Sequence, residues 1–149
     1  MKRTTFRLRL SAALILCILV FIWGNSLLPG EVSQALSDWV KSVLFTGTSR
    51  EAVGTGSGVL RKVAHFLEFF ALGWCLMWRM GMLEKPWSRA LFLGAAAAAV
   101  DETIQLITPD RGPGIRDVLL DTAGVLTGII LLRMGHSMIQ KRSFGGNTK

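Results

Sequence analysis

ALFLGAAAAAVDETIQLITPDRGPGIRDVLLDTAGVLTGIILL, residues 90–132, decides how the chain is read. Two apolar runs, Ala90–Ile107 and Val118–Leu132, are joined by a short loop, and Asp101, Glu102, Asp117 and Asp121 sit at their facing ends. Runs of this length and composition read as membrane helices rather than as strands of a soluble core. A carboxylate inside such a helix costs roughly 2.5–3.5 kcal/mol on insertion. The two helices must therefore cover these groups with each other, with further helices or with an aqueous pocket.

Two more apolar runs lie upstream. Leu10–Leu28 is a 19-residue stretch without charge, and Val63–Trp78 is interrupted by His65 and Glu68. Only the first looks self-sufficient as a span. The chain has 149 residues, 50% of them hydrophobic, with a mean hydropathy of +0.43. That is one domain, covering residues 1–149, and it excludes both a disordered chain and a large soluble catalytic fold. The expected architecture is all-α, a polytopic membrane four-helix bundle with spans near 10–28, 63–82, 88–107 and 117–134. Cys17 and Cys75 both lie in apolar runs, which leaves neither a disulfide framework nor a cysteine-rich metal site. Gly24-Asn25-Ser26 offers a small-x-small cleavage site, yet the apolar stretch before it exceeds the 7–15 residues of a signal core, so a retained span is expected. Leu16 before Cys17 spoils lipoprotein-type processing, and no lipid anchor is expected.

The basic residues orient the bundle. Lys2, Arg3, Arg7 and Arg9, then Arg79, Lys85 and Arg89, then Arg133, Lys141, Arg142 and Lys149 all fall on one side, eleven of the 17 Lys and Arg. By the positive-inside rule both termini are cytoplasmic, with 29–62 and 108–117 outside, in a bacterial inner membrane. Although the formal charge is +7, its carriers flank apolar runs instead of forming a stripe on a soluble face, which argues against nucleic acid as a partner.

In the first outer loop, Val32, Ala35, Leu36, Trp39, Val40, Val43 and Leu44 share one helical face, opposite Ser33, Ser37, Asp38, Lys41 and Ser42. The pattern predicts a short amphipathic helix lying on the outer leaflet. It equally fits a helix packed on the bundle rim. Gly54-Thr55-Gly56-Ser57-Gly58 matches neither a phosphate loop nor a nucleophile elbow and reads as a flexible linker.

The polar residues of the spans gather at one end. Arg61, His65 and Glu68 share a face at i, i+4, i+7, Asp101 and Gln105 share one at i, i+4, and so do Asp117 and Asp121. Asp101 lies about 10 Å below the end of its helix, in the zone of lipid headgroups and within reach of a lipid-linked phosphate. Asp101 and Glu102 are adjacent, so at most one of them faces the pocket centre. Gly124 and Gly128 continue the Asp117 stripe and suit close helix packing. An ion-pair network stapling short helices would use the same residues, five acids (Glu68, Asp101, Glu102, Asp117, Asp121) against four bases (Arg61, Lys62, Arg111, Arg116). Buried ion pairs add little net stability whereas intramembrane ionisable groups mark sites, which favours a functional reading.

The strings Arg61-Lys62-x-x-His65-Phe66-x-Glu68 and Asp101-Glu102-x-x-Gln105-x-x-x-Pro109-x-Arg111, continuing to Asp117, Asp121, Gly124 and Gly128, resemble the VanZ-like family of small bacterial membrane proteins. Asn25-Ser26 fits as well, and the likeness spans roughly residues 20 to 132. Asp110 stands where the family usually has glycine, Pro113 and Gly114 where it is more often serine-rich, Asp121 where asparagine is commoner, and Phe69 where tyrosine is common. The resemblance implies a four-span bundle, and its namesake is associated with low-level resistance to teicoplanin.

The expectation for function is an outward-facing pocket that binds or processes an anionic, lipid-linked cell-envelope component. The proton-transfer and catalytic candidates are His65, Glu68, Asp101 and Glu102. The candidates for binding substrate and phosphate are Arg61, Lys62, Gln105, Arg111, Arg116, Asp117 and Asp121. No spacing demands a metal; the oxygen-rich set would suit Mg²⁺ or Ca²⁺. The competing expectation is a non-enzymatic accessory or scaffold protein with a membrane protein partner and a structural ion-pair network.

Overall fold

The computed structural model describes residues 2–44, 51–81, 85–112 and 114–145. Five helices account for nearly all of them: α1 (Lys2–Ser26), α2 (Gly30–Leu44), α3 (Glu51–Met80), α4 (Pro86–Ile107) and α5 (Ile115–Gly145). No strand occurs among the described residues. Three helices, over Thr4–Ser26, Pro86–Ile107 and Ile115–Met138, are long and apolar enough to cross a membrane. α3, which carries His65, Glu68 and Arg79, is not among them. It is instead the hub of the bundle, in contact with each of the other four helices and most extensively with α5.

Several helix boundaries differ from the sequence expectation, and α1 already starts at Lys2, ahead of the expected residue 10. Residues 54–58, expected as a linker, are helical and extend the start of α3. Each glycine in a helix costs about 1 kcal/mol relative to alanine, but propagation from an existing helix avoids the cost of nucleation. α5 likewise runs past the expected end near 134 to Gly145. Residues 82–84, Pro113 and Lys149 lie outside the described residues.

The core is small and made of side chains that let backbones approach: Ala90, Ala97 and Ala98 of α4 against Phe69, Leu72 and Leu76 of α3 and Val125 and Ile129 of α5. The closest approach is between α3 and α5. A Cβ added to Gly73 would lie 2.2 Å from the Val125 carbonyl oxygen, one on Gly124 2.6 Å from that of Phe66, and one on Gly128 2.3 Å from that of Phe70. The pairing of 124 with 66 and of 128 with 70 shows that α3 and α5 run parallel. Outside this core, Leu16, Phe92, Ile130 and Leu131 are exposed and form an apolar belt. In a bilayer that belt meets lipid, and close packing takes over from the hydrophobic effect as the force between helices.

The two ends of the bundle differ. Where α1 and α5 meet α3 and α4 at the basic end, Arg7 donates to the Trp78 carbonyl at 2.6 Å with its guanidinium 5.6 Å from the Trp78 ring centroid, and Arg79 donates to the Leu8 carbonyl at 2.7 Å. These bonds lock the start of α1 to the end of α3, antiparallel. At the other end α1 and α4 finish while α3 and α5 begin, and there the polar residues collect. α2 follows a short turn after α1, and its Gly30 N–H donates to the Pro109 carbonyl at 3.1 Å. The pattern predicted a helix at α2, but its buried side chain is Ser33, while Val32, Leu36, Trp39 and Val43 are exposed. The apolar face is thus divided: Leu36 and Val40 border a hollow against α1 and α3, and Val32, Trp39 and Val43 are exposed.

The α3–α5 contact sets a stability prediction. Gly128→Ala places its methyl group against backbone, which cannot rotate away, and should destabilise the protein by about 1–3 kcal/mol. Gly135→Ala, where nothing lies within 4 Å, should leave stability unchanged or raise it by up to about 1 kcal/mol, since alanine is the better helix former. Denaturant unfolding of the two variants in the same detergent checks the contrast.

Candidate functional site

The parallel run of α3 beside α5, with α4 antiparallel to both, brings three side chains from three helices to one place. Donor atoms of His65 (α3), Asp101 (α4) and Asp121 (α5) all lie within 4.8 Å of one another. These residues are 7%, 0% and 2% exposed. His65 Nδ1 stands 3.9 Å from Asp101 Oδ2 and 3.9 Å from Glu68 Oε2, too far for hydrogen bonds. Gln105 Nε2 fixes Asp101 by donating to its Oδ2 at 2.9 Å, and reaches Ser26 Oγ of α1 at 3.4 Å. The i, i+4 spacing of Asp101 and Gln105 thus produces the shared face that the sequence predicts. His65 Nδ1, Glu68 Oε2, Asp101 Oδ1 and Asp121 Oδ1 are buried and make no hydrogen bond. Four such atoms in one cluster are unusual, because a buried polar group without a partner costs about 1–3 kcal/mol.

Beside the cluster lies a polar cavity of about 20 Å³ lined by Arg61, Lys62, His65, Gln105, Asp117 and Asp121. It is large enough for about one water-sized occupant. A second hollow, about 560 Å³ and mostly apolar, runs between α1, α2 and α3; Val20, Phe21 and Leu36 line it, with Arg61 and Glu68 at its inner edge. Arg61 therefore borders both hollows, and it makes no hydrogen bond or ion pair with another described residue.

The remaining predicted residues take other positions. Lys62 pairs with Asp117 at 3.6 Å on the rim. Arg116 is exposed. Glu102 is buried but turned from the cluster, its Oε1 accepting the Gly114 N–H ahead of α5. Of the two adjacent acids, Asp101 takes the centre. Arg111 faces the end of α1: its Nε donates to the Leu28 carbonyl at 3.2 Å, and its Nη2 to the carbonyls of Asn25 at 3.0 Å and Leu28 at 3.2 Å. Thr108 Oγ1 adds a bond to the Ser26 carbonyl at 3.1 Å. The last carbonyls of a helix have no partner within it, and these side chains supply one. Arg111 Nη1 remains buried without a hydrogen bond. Burial, and then the Arg61 charge, hold the Arg111 guanidinium below its ordinary pKa.

Sequence reasoning did not single out Thr108 or Gly114, which act through long-range contacts that no periodicity announces. Asn25, whose side chain hydrogen-bonds Glu68, carried a signal only through the family likeness. Asp110 adopts a left-handed backbone with φ 56°, a conformation that glycine takes without cost and aspartate tolerates. That accounts for the glycine usual at this position in the family pattern.

The all-helical architecture, the apolar spans and the belt define a polytopic helical membrane protein. The chain belongs to the VanZ/LLP1 family, whose model matches residues 11–136. No curated protein and no solved structure matches it significantly.

Arg111→Lys keeps the charge and loses the forked donors. Because charge-assisted bonds contribute roughly 1.5–3 kcal/mol each when buried and this side chain is only half-buried, a loss of about 1–3 kcal/mol is expected. Hydrogen exchange at residues 25–28 should quicken more than exchange at the α3–α5 contact, and equal effects at both places would contradict the clamp.

Proposed function

We propose that the chain is a bacterial inner-membrane protein whose polar end faces outward and binds an anionic, lipid-linked component of the cell envelope. The observation that carries this reading is the position of Arg61, a guanidinium without a hydrogen bond or ion pair to another described residue, between a small polar cavity and a 560 Å³ apolar hollow. A phosphate or similar anion beside Arg61 would have its lipid chain in the hollow, whose size falls in the range of ligand pockets. The exposed part of the apolar face of α2, with Trp39 and Val43, would rest in the outer leaflet, and Leu36 in the lining of the hollow would guide the lipid toward Arg61. The basic opposite end, with Arg7 and Arg79, supports the orientation.

His65 beside Glu68 and Asp101 offers a bound phosphate a group that can donate or accept a proton. Turnover would follow binding and use that group. A part in tolerance of teicoplanin-type glycopeptides fits a protein acting on envelope precursors and belongs to the same reading.

Mass spectrometry of lipids retained in mild detergent tests it. A phosphate-bearing lipid should accompany the wild-type chain, fall at least about tenfold in Arg61→Ala, and persist in Arg116→Ala, whose side chain is exposed away from the hollow. Identical bulk phospholipid profiles for wild type and a folded Arg61→Ala protein would overturn the proposal.

A further inference from the structure

The four unpartnered buried atoms of the site call for an occupant that protein atoms do not supply. Lipid phosphate, the ligand proposed above, is an anion and suits Arg61. It does not suit the three-helix cluster, where the groups that face one another are carboxylates and an imidazole. The buried and half-buried residues around that cluster carry four carboxylates, Glu68, Asp101, Glu102 and Asp121, against the two guanidiniums of Arg61 and Arg111. Lys62 and Asp117 offset each other at the rim. Fully ionised, these groups would carry two negative charges in excess, which one divalent cation would offset, and uncompensated charge at this depth in a membrane is costly.

We propose that His65, Asp101 and Asp121 form a binding site for one divalent transition-metal ion of the manganese–zinc class. Three features carry it. Each residue offers a donor atom, and these lie within 4.8 Å of one another; around a first-row ion, with donors at about 2.0–2.2 Å, neighbouring donors stand about 3–4 Å apart, a closure that side-chain rotation achieves. The free atoms are His65 Nδ1, Asp101 Oδ1 and Asp121 Oδ1, all buried. The other oxygen of Asp101 is held by Gln105 at 2.9 Å, the outer-shell hydrogen bond that orients a ligating carboxylate.

The donor set selects the ion. Ca²⁺ takes six to eight oxygen ligands and Mg²⁺ retains several waters, whereas an imidazole with carboxylates suits Mn²⁺, Fe²⁺ and Zn²⁺. This replaces the Mg²⁺ or Ca²⁺ that an oxygen-only reading of the sequence favours. The adjoining 20 Å³ cavity has room for about one water, so the ion would keep an open position facing Arg61. A water held there would be acidified by the ion. The inference concerns the ion alone and does not rest on the lipid reading.

Mn²⁺ titration of the tag-free full chain in detergent, read as loss of the free-ion spin-resonance signal, is the test. Phosphate and added lipid are left out, so a negative result leaves lipid binding unaffected. One saturable site per chain is expected, displaced by Zn²⁺, which binds such sites more tightly. His65→Ala and Asp121→Asn should each weaken binding at least about tenfold. His136→Ala removes the other histidine, exposed on α5, and should leave binding unchanged. Absence of a saturable site for both Mn²⁺ and Zn²⁺, or equal affinity in the folded Asp121→Asn and His65→Ala proteins, would overturn the assignment. Should the variants aggregate, spin-echo modulation of Mn²⁺ on the wild type decides: coupling to an imidazole nitrogen is expected, and its absence rules the site out.

Discussion

The close approach of α3 to α5 is the constraint on which the site depends. Gly73, Gly124 and Gly128 stand where a Cβ would meet the backbone of the facing helix, and they let two parallel helices touch along several turns. Asp121 lies one turn before Gly124, and His65 directly before Phe66, whose carbonyl Gly124 touches. The glycines that bring the backbones together thus also bring the imidazole and the carboxylate together. α4 completes the arrangement with a surface of alanines, Ala90, Ala97 and Ala98, which carries Asp101 into the same space. Packing by small residues is how membrane helices associate, since lipid leaves little hydrophobic gain between them. Here the same packing builds a polar site.

That site is expensive. Asp101 and Asp121 are almost wholly buried, and each has an oxygen without a hydrogen bond. A network evolved to staple helices would pair these groups, as Arg111 and Thr108 pair the open carbonyls at the end of α1. The contrast between the Nε and Nη2 donors of Arg111, which bond the end of α1, and the unpaired carboxylate oxygens of Asp101 and Asp121 separates the structural part of this end from the cluster. Arg61, bordering the polar cavity and the apolar hollow, links the cluster to the membrane.

Much of this was legible in the sequence because helical periodicity is local. The Asp101–Gln105 face, the Gly124–Gly128 stripe, the α2 helix and the gathering of charge at one end all follow from spacing. The rest depends on partners distant in the chain. Nothing near Arg111 shows that its guanidinium reaches back to Asn25 and Leu28, and nothing near Glu102 shows that it turns to Gly114 while its neighbour enters the cluster. The glycines at 54–58 suggest a linker by composition, whereas α3, anchored by every other helix, continues through them. Ser33, on the polar face of α2, is the side chain that is buried, and periodicity within α2 does not show which of its faces meets α1 and α3.

The central claim is that the cluster of His65, Asp101 and Asp121 serves an occupant rather than the fold. The thermal unfolding midpoint of occupant-free Asp121→Asn against wild type, in the same detergent and with chelator present, tests it most directly. The substitution is nearly isosteric and removes a buried carboxyl group facing Asp101. An unchanged or higher midpoint is predicted, because a buried carboxyl oxygen without a partner destabilises the empty protein. A clear fall, of the size that breaking a buried ion pair produces, would show that the cluster holds the helices together and would contradict the account.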